Sequence, residues 1–198
     1  SILCALDNNS IYSSLLLAKG MTKDWSKVAI IDTENGSSDL YADLGQYSVL
    51  PLHHPYSPEM YIKAIEVCVK HGVEVIIIDS LSHCWEYLLE VHSSMPGNSF
   101  TNWSKITPRL NALLQCILKS PVHIVATLRT KQDYVLSTKN GKVFPEKIGL
   151  KAIQRDGVDY EFTIVLDVDA SHQVKATKDR TGLFVDKPPF QITEETGA

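Results

Sequence analysis

Residues 73–79 read VEVIIID, and this stretch decides how the chain folds. Its run Val75-Ile76-Ile77-Ile78 lacks the polar alternation of a half-exposed strand, so it predicts a strand buried on both faces. Residues 27–32, KVAIID, have the same texture and predict a second buried strand. Upstream, residues 1–5 read as a strand and residues 11–19 as a helix closed by Gly20. Residues 47–52 form a weaker strand. Ser57 then caps a helix with Pro58 at its first position and Glu59 in its first turn. Tyr61, Ile65, Cys68 and Val69 line one face of that helix, and Gly72 sits where a left-handed C-terminal residue belongs.

Downstream, residues 84–102 read as polar and irregular, with a loop at Pro96-Gly97-Asn98-Ser99. Thr107 and Pro108 start a helix through Leu110, Leu113, Leu114 and Ile117 that stops before Pro121, and residues 122–128 form a further core strand. Residues 132–137, 143–148, 160–167 and 173–177 read as β segments, with turns at Asn140-Gly141 and Ala170-Ser171. From Lys187 the chain is expected to run as an extended tail. Strands alternating with helices predict an α/β fold with a mainly parallel sheet and antiparallel strands toward the C-terminus. We expect one domain over 1–198, with a hairpin insertion at 131–148 and the tail at 187–198.

The 198 residues suffice for one full-sized core. With 44% hydrophobic and 21% charged residues, the usage is that of a globular chain rather than a disordered or fibrous one. Nineteen basic against twenty-three acidic residues exclude a wholly basic nucleic-acid coat but leave room for a local basic groove. No apolar run can span a bilayer and no charged segment precedes an apolar one at the start, so a cytoplasmic, membrane-free setting is expected. The cysteines Cys4, Cys68, Cys84 and Cys116 have no CxxC pair or framework spacing and are read as reduced thiols.

Three features carry chemistry. Val75-Ile76-Ile77-Ile78-Asp79 is a Walker B pattern, in which a central strand delivers a carboxylate to the sheet edge where α/β folds bind ligands. There Asp79 can hold a Mg²⁺-bound water beside a nucleotide, although many parallel strands end in Asp for structural reasons alone. Asp32-Thr33-Glu34 ends the other buried strand, so Glu34 lies near Asp79 if the two strands are neighbours, as a general base for a water. Lys178-Asp179-Arg180-Thr181-Gly182 follows a strand and puts two cations on one side of an extended chain, within reach of a phosphate or within a solvated turn.

VAIIDTE followed about forty residues later by VEVIIIDS resembles the RecA-like branch of P-loop ATPases. The segments DTENGSSDLYADLG, IIIDSLSHCWE, WSKITPRLNALLQ and KDRTGLF are similar to phage and prophage RecA-like ATP-binding proteins of recombination and replication. The resemblance covers nearly the whole chain. It implies a RecA-like P-loop fold with helices on both faces of the sheet, and ATP with Mg²⁺ as ligands. It further implies that Glu34 polarises the attacking water and Asp79 supports Mg²⁺. Thr127 would stand at a γ-phosphate-sensing position, and Lys178 with Arg180 would reach a neighbouring subunit's nucleotide in a ring or filament on single-stranded DNA.

The phosphate loop departs from that pattern. Where the family carries GxxxxGK[ST], this chain has Cys4-Ala5-Leu6-Asp7-Asn8-Asn9-Ser10-Ile11. Both glycines are missing, Ser10 replaces the lysine and Ile11 replaces the hydroxyl. Glycine lets backbone N–H groups wrap phosphates, and lysine neutralises them. Asn8 and Asn9 tolerate the left-handed region, and the helix start at Ser10, Ile11 and Tyr12 still offers an anion site. Three readings stay open: an ATPase hydrolysing ATP to ADP and phosphate, an inactive pseudo-ATPase that binds DNA or protein, or an active native chain whose loop is altered here.

His83, Cys84 and His92 match no zinc spacing, and His83 falls in the SLSHCWE segment. Trp25, Trp85 and Trp103 read as packing anchors rather than a base-stacking platform. DNA contacts, if made, would use the 86–104 segment or the 131–147 hairpin with Lys131, Lys139, Lys142 and Lys147.

Overall fold

The computed structural model describes residues 1–6, 10–139, 142–169 and 171–198. Strands β1 (Ile2–Leu6), β2 (Val28–Asp32), β3 (Ser48–Pro51), β4 (Val75–Asp79), β5 (His123–Lys139), β6 (Lys142–Ala152), β7 (Ile164–Val168) and β8 (Val174–Asp179) alternate with helices. The helices are α1 (Ser10–Thr22), α2 (Pro58–Lys70), α3 (Ser82–Ser94), α4 (Ser99–Leu118) and the short α5 (Glu194–Gly197). The sheet order is β3-β2-β4-β5-β1-β7-β8, with β6 paired only to β5. Every pairing from β3 to β7 is parallel, and β8 runs antiparallel to β7. This is the mixed α/β architecture that the sequence predicts, with a mainly parallel sheet consistent with a P-loop NTPase fold.

All five residues of β2 and all five of β4 are buried, as their unbroken apolar runs require. Alternate side chains of each strand go to opposite layers. Ile30, Val75, Ile77 and Val125 pack with Ile11, Leu15 and Ala18 of α1. Ala29, Ile31, Ile76 and Ile78 pack with Tyr61 and Ile65 of α2, Leu88 of α3 and Leu110 of α4. Fully burying each such aliphatic side chain stabilises the fold by about 1.5–3 kcal/mol. A bidentate pair of Arg109 with Glu59, both contacts at 2.8 Å, ties α4 to α2.

Several boundaries differ from the sequence reading. Gly20 does not close α1, which continues to Thr22; the left-handed residue at its end is Lys23, at φ 58°. Gly20 serves close approach instead, since a Cβ there would stand 1.9 Å from the Glu194 carbonyl oxygen. The expected tail therefore ends in a helix lying flush on α1.

Residues 84–102 are mostly helical rather than irregular. α3 fully buries only Ser82, Cys84 and Leu88, packs Trp85, Tyr87 and Val91 half-buried on the same core, and stacks Trp85 and His92 on Trp103. α4 starts at Ser99 behind the cap Asn98, whose side chain accepts the Phe100 N–H, so Pro108 lies inside that helix rather than at its start. Pro108 is exposed, so the N–H it lacks falls on the solvent side of the helix. The strand expected over 160–167 begins only at Ile164, after a 3₁₀ turn at Val158–Tyr160.

β5 changes character midway. Its first half lies between β4 and β1, and from Thr130 it pairs only with β6 as a two-stranded arm whose register carries Lys139 opposite Lys142. The Asn140-Gly141 turn itself lies outside the described residues, as does Ala170. Among the described residues, no helix is long and apolar enough to cross a membrane, and Cys68, Cys84 and Cys116 are free thiols.

Candidate functional site

The connection after β2 packs on the α1 layer through Tyr41, Leu44 and Tyr47. The connection after β4 packs on the opposite layer through Leu81, Cys84 and Leu88. The chain thus leaves two adjacent parallel strands toward opposite faces, which opens a crevice at their carboxyl ends. Register puts Asp32 directly beside Asp79 at that crevice, so Glu34 and Asp79 are brought together as expected.

Asp32 builds the loop that carries Glu34. Its Oδ1 accepts the Glu34 N–H at 2.7 Å, and its Oδ2 accepts the Ser38 hydroxyl at 2.6 Å. Thr33 joins the two strands, with its N–H donating to the Asp79 carbonyl at 2.7 Å and its Oγ1 accepting the Ser80 N–H at 2.8 Å. The Ser80 hydroxyl donates to Glu34 Oε1 at 3.0 Å, while the Ser80 carbonyl accepts the Tyr61 hydroxyl at 2.8 Å. Glu34 keeps 27% of its side chain exposed, enough for a water to meet it.

Asp79 is only 4% exposed. Its Oδ1 accepts the Thr127 hydroxyl at 2.6 Å and its Oδ2 the Ser37 hydroxyl at 3.1 Å. Burial raises its carboxyl above the ordinary range; the Thr127 bond opposes this, and the charge of Glu34 adds to it. Thr127 does stand at the sheet edge, but its hydroxyl is committed to Asp79.

A second tier of residues surrounds Glu34, of which only His83 had a reading from sequence, a structural or nucleotide-proximal role implied by the SLSHCWE resemblance. His83, on α3, stacks on Tyr56 at 4.9 Å. Its Nδ1 lies 2.8 Å from Thr33 Oγ1 and its Nε2 lies 3.2 Å from Arg129 Nη1. A guanidinium can only donate, so His83 Nε2 accepts and Nδ1 carries the proton toward Thr33. Arg129 Nε lies 3.8 Å from Glu34 Oε1, and His83 Nε2 lies 3.7 Å from the same oxygen. The available signal was position: Ser80 follows the strand-ending Asp79, and Arg129 ends the core half of β5.

The remaining sequence candidates lie elsewhere. Lys178 donates to the carbonyls of Asp159 and Tyr160, and Arg180 donates to the same Tyr160 carbonyl at 3.0 Å, so the two cations do share one side. β8 runs antiparallel, however, and pairs Ile164, the first residue of β7, with Asp179. Lys178 and Arg180 thus sit at the amino edge of the sheet, opposite Glu34 and Asp79. Ser10 is the first residue of α1. Ile11 turns its side chain inward, 5% exposed within the core, because the α1 face bearing Leu15 and Ala18 begins with it. Tyr12 is 40% exposed and lies against Tyr41 at 5.6 Å. Asn8 and Asn9 lie outside the described residues.

The donor set at the crevice fits Mg²⁺ held through water, since Asp79 presents a carboxylate flanked by the Ser37 and Thr127 hydroxyls. A direct hydroxyl ligand from position 11 does not fit, as Ile11 is apolar and buried. Bound there, the ion would supply positive charge to a phosphate.

Against this geometry, the family model of the AAA domain matches residues 16–190. The chain belongs to that family of P-loop ATPases, for which nucleotide binding, typically with Mg²⁺, is the common activity. The match begins inside α1, beyond the segment that stands where a phosphate loop would lie. No curated protein matches the sequence.

Proposed function

We propose that the chain is a RecA-like ATPase domain of phage type that acts in DNA recombination or replication, hydrolysing ATP to ADP and phosphate. The observation that carries this reading is the pairing of Glu34 with Asp79 at the crevice, each held by its own hydroxyl donors. Glu34 accepts a proton from the attacking water while Ser80 fixes the carboxylate that does so. Asp79 would hold Mg²⁺ through a water, and Thr127 holds Asp79 in place.

Lys178 and Arg180 cannot serve the nucleotide of their own chain from the opposite sheet edge. Their position suits a neighbouring copy's nucleotide, which makes the working form a ring or filament with ATP between subunits. The β5–β6 arm, with Lys131 exposed and Leu136, Val143 and Phe144 open to solvent, suits single-stranded DNA along the axis of that assembly.

One observation favours a second reading, an inactive domain that keeps DNA or subunit binding. Ser10 brings no cation to the start of α1, and Ile11 is spent on the core. Calorimetric titration with Mg²⁺–ATP decides between them, using this chain and a variant with residues 4–11 replaced by GxxxxGKT. Micromolar binding by the original chain supports the ATPase, and binding by the variant alone supports the inactive domain. Binding by neither removes the nucleotide site.

A further inference from the structure

Two arginine–carboxylate pairs in this protein differ sharply in how tightly they close. Arg109 grips Glu59 through two contacts of 2.8 Å. Arg129 Nε stays 3.8 Å from Glu34 Oε1, beyond hydrogen-bond distance. Exposure does not account for the difference, since Glu59 keeps 57% of its side chain exposed and Glu34 only 27%. We infer that His83 is a positioning residue for Glu34: it holds the Arg129 guanidinium off the carboxylate, so that Glu34 stays available as a base. The inference rests on the ATPase reading above.

The acceptor that holds Arg129 is set in place by Thr33. Thr33 is 1% exposed, and its Oγ1 accepts the Ser80 N–H at 2.8 Å and sends its own hydrogen to the Asp79 carbonyl at 3.1 Å. One lone pair of that oxygen remains. His83 Nδ1 lies 2.8 Å from Oγ1, and with a guanidinium at Nε2 it is Nδ1 that carries the imidazole proton. Nε2 is then a bare acceptor, 3.2 Å from Arg129 Nη1. Tyr56 fixes the plane of the ring, stacked on it at 4.9 Å and 20°. The Nε2 lone pair therefore points one way only.

The rest of the first turns of α3 completes the hold. Ser82 Oγ accepts the Arg129 backbone N–H at 2.9 Å. Glu86, three residues beyond His83 and so on the same helix face, has its Oε2 3.9 Å from Arg129 Nη1. Backbone and side chain of Arg129 are thus both tied to α3 rather than to the loop after β2 that carries Glu34. On the other side, Glu34 Oε1 already accepts the Ser80 hydroxyl at 3.0 Å. Among the described residues no hydrogen bond reaches Oε2, which leaves that oxygen for a water.

Electrostatics shows why the hold matters. A guanidinium closed on a carboxylate through two parallel N–H donors is the strong form of this pair. It occupies both oxygens and favours the charged carboxylate, which then resists taking a proton from water. At 3.8 Å, with Arg129 half exposed, solvent screens the attraction and the carboxylate keeps an oxygen for the attacking water. A neutral imidazole suits the task because it gives Arg129 an acceptor without adding a charge beside Glu34.

The test pairs two substitutions. His83→Asn keeps an amide N–H at the Nδ1 position for Thr33 but has no acceptor at the Nε2 position, whereas the amide of His83→Gln reaches that position. With Mg²⁺–ATP, His83→Asn should lower kcat about tenfold at unchanged KM, and His83→Gln should recover most of that loss. Adding Arg129→Ala to His83→Asn should restore the rate to that of Arg129→Ala alone. The urea midpoint gives a readout without turnover. Arg129→Ala should lower it more in the His83→Asn chain than in the unaltered one, and high salt should remove the difference. Equal losses in the Asn and Gln variants, no recovery on removing Arg129, or equal midpoint shifts would each overturn the inference. If the unaltered chain releases no phosphate, the ATPase reading fails by itself. The urea comparison then still decides whether His83 holds Arg129 off Glu34.

Discussion

The two halves of the sheet's carboxyl edge are built to different standards. At β2 and β4, Asp32, Thr33, Asp79 and Ser80 exchange hydrogen bonds through both backbone and side chains, and each carboxylate has a named donor. At the start of α1, the side chain that follows Ser10 is withdrawn into the core, and a tyrosine faces solvent. The first half is organised around hydrogen-bonded carboxylates. The second is organised as an ordinary helix on a sheet. Carboxylates cost stability when buried, so a crevice that keeps them costs the fold something that Ile11 and Leu15 do not. The difference shows that the carboxylate edge at β2 and β4 and the start of α1 are held by separate sets of contacts, one of hydrogen bonds and one of apolar packing.

The largest effect expected is on chemistry. Glu34→Gln removes the proton acceptor but keeps an oxygen for the Ser80 hydroxyl, so phosphate release should fall about a hundredfold or more with Mg²⁺–ATP binding unchanged. Equal turnover in the two proteins would mean that the organised half does no chemistry. Next in size, Ile11→Thr puts back the hydroxyl that the resemblance requires. It exchanges buried apolar surface for a polar atom and should cost about 2 kcal/mol in urea unfolding. A cost near zero would show that position 11 is free to face a ligand, and the contrast between the halves would weaken.

A smaller effect, of opposite sign, is expected at Asp79. Burial holds its carboxyl above the ordinary range, so the folded state takes up this proton before the unfolded chain does. The group's contribution to stability is therefore fully present below the unfolded carboxylate value and is lost as pH rises through the raised folded value. At neutral pH the ionised, buried Asp79 costs stability. Asp79→Asn, which can still accept from Thr127 and can donate to Ser37, should raise unfolding stability by about 1 kcal/mol at pH 7 and lose that advantage toward pH 4. A gain that is the same at both pH values would show that the carboxylate is not strained by its setting.

The organised half was legible in sequence because its signal is local. VAIID and VIIID each end a buried run in a carboxylate, and adjacency of the two strands was the one inference needed. The helices over residues 84–102 were not legible, because α3 fully buries only Cys84 and Leu88 among its apolar residues while Trp85, Tyr87 and Val91 pack half-exposed around them, so no clean stripe shows in the periodicity. Part of its support comes from Trp103 of α4, on which Trp85 and His92 stack, and no local pattern records a stacking partner. Pro108 misled for a related reason: proline marks a first turn by frequency, but an exposed position on a long helix tolerates it as well. Arg129 and His83 were missed as partners of Glu34 because they come from β5 and α3, and only the folded sheet sets them side by side. The positions of Lys178 and Arg180 likewise depend on strand direction, since an antiparallel β8 carries them to the edge away from Asp79.

The smallest effect should come from Arg129, where the two halves meet. Register pairs Arg129 with Leu6, the last residue of β1, while its guanidinium turns toward Glu34 and His83. The side chain is 51% exposed and its nitrogen stands 3.8 Å from the glutamate oxygen, so this is a screened surface pair. Arg129→Ala should change unfolding stability by under about 0.5 kcal/mol. The measurement is a urea midpoint at low and at high salt. A loss above about 1 kcal/mol that disappears in high salt would mean that Glu34 is locked in a closed ion pair. The carboxylate would then have to break that pair before it could meet a water, and the half that looks ready for chemistry would be the half held shut.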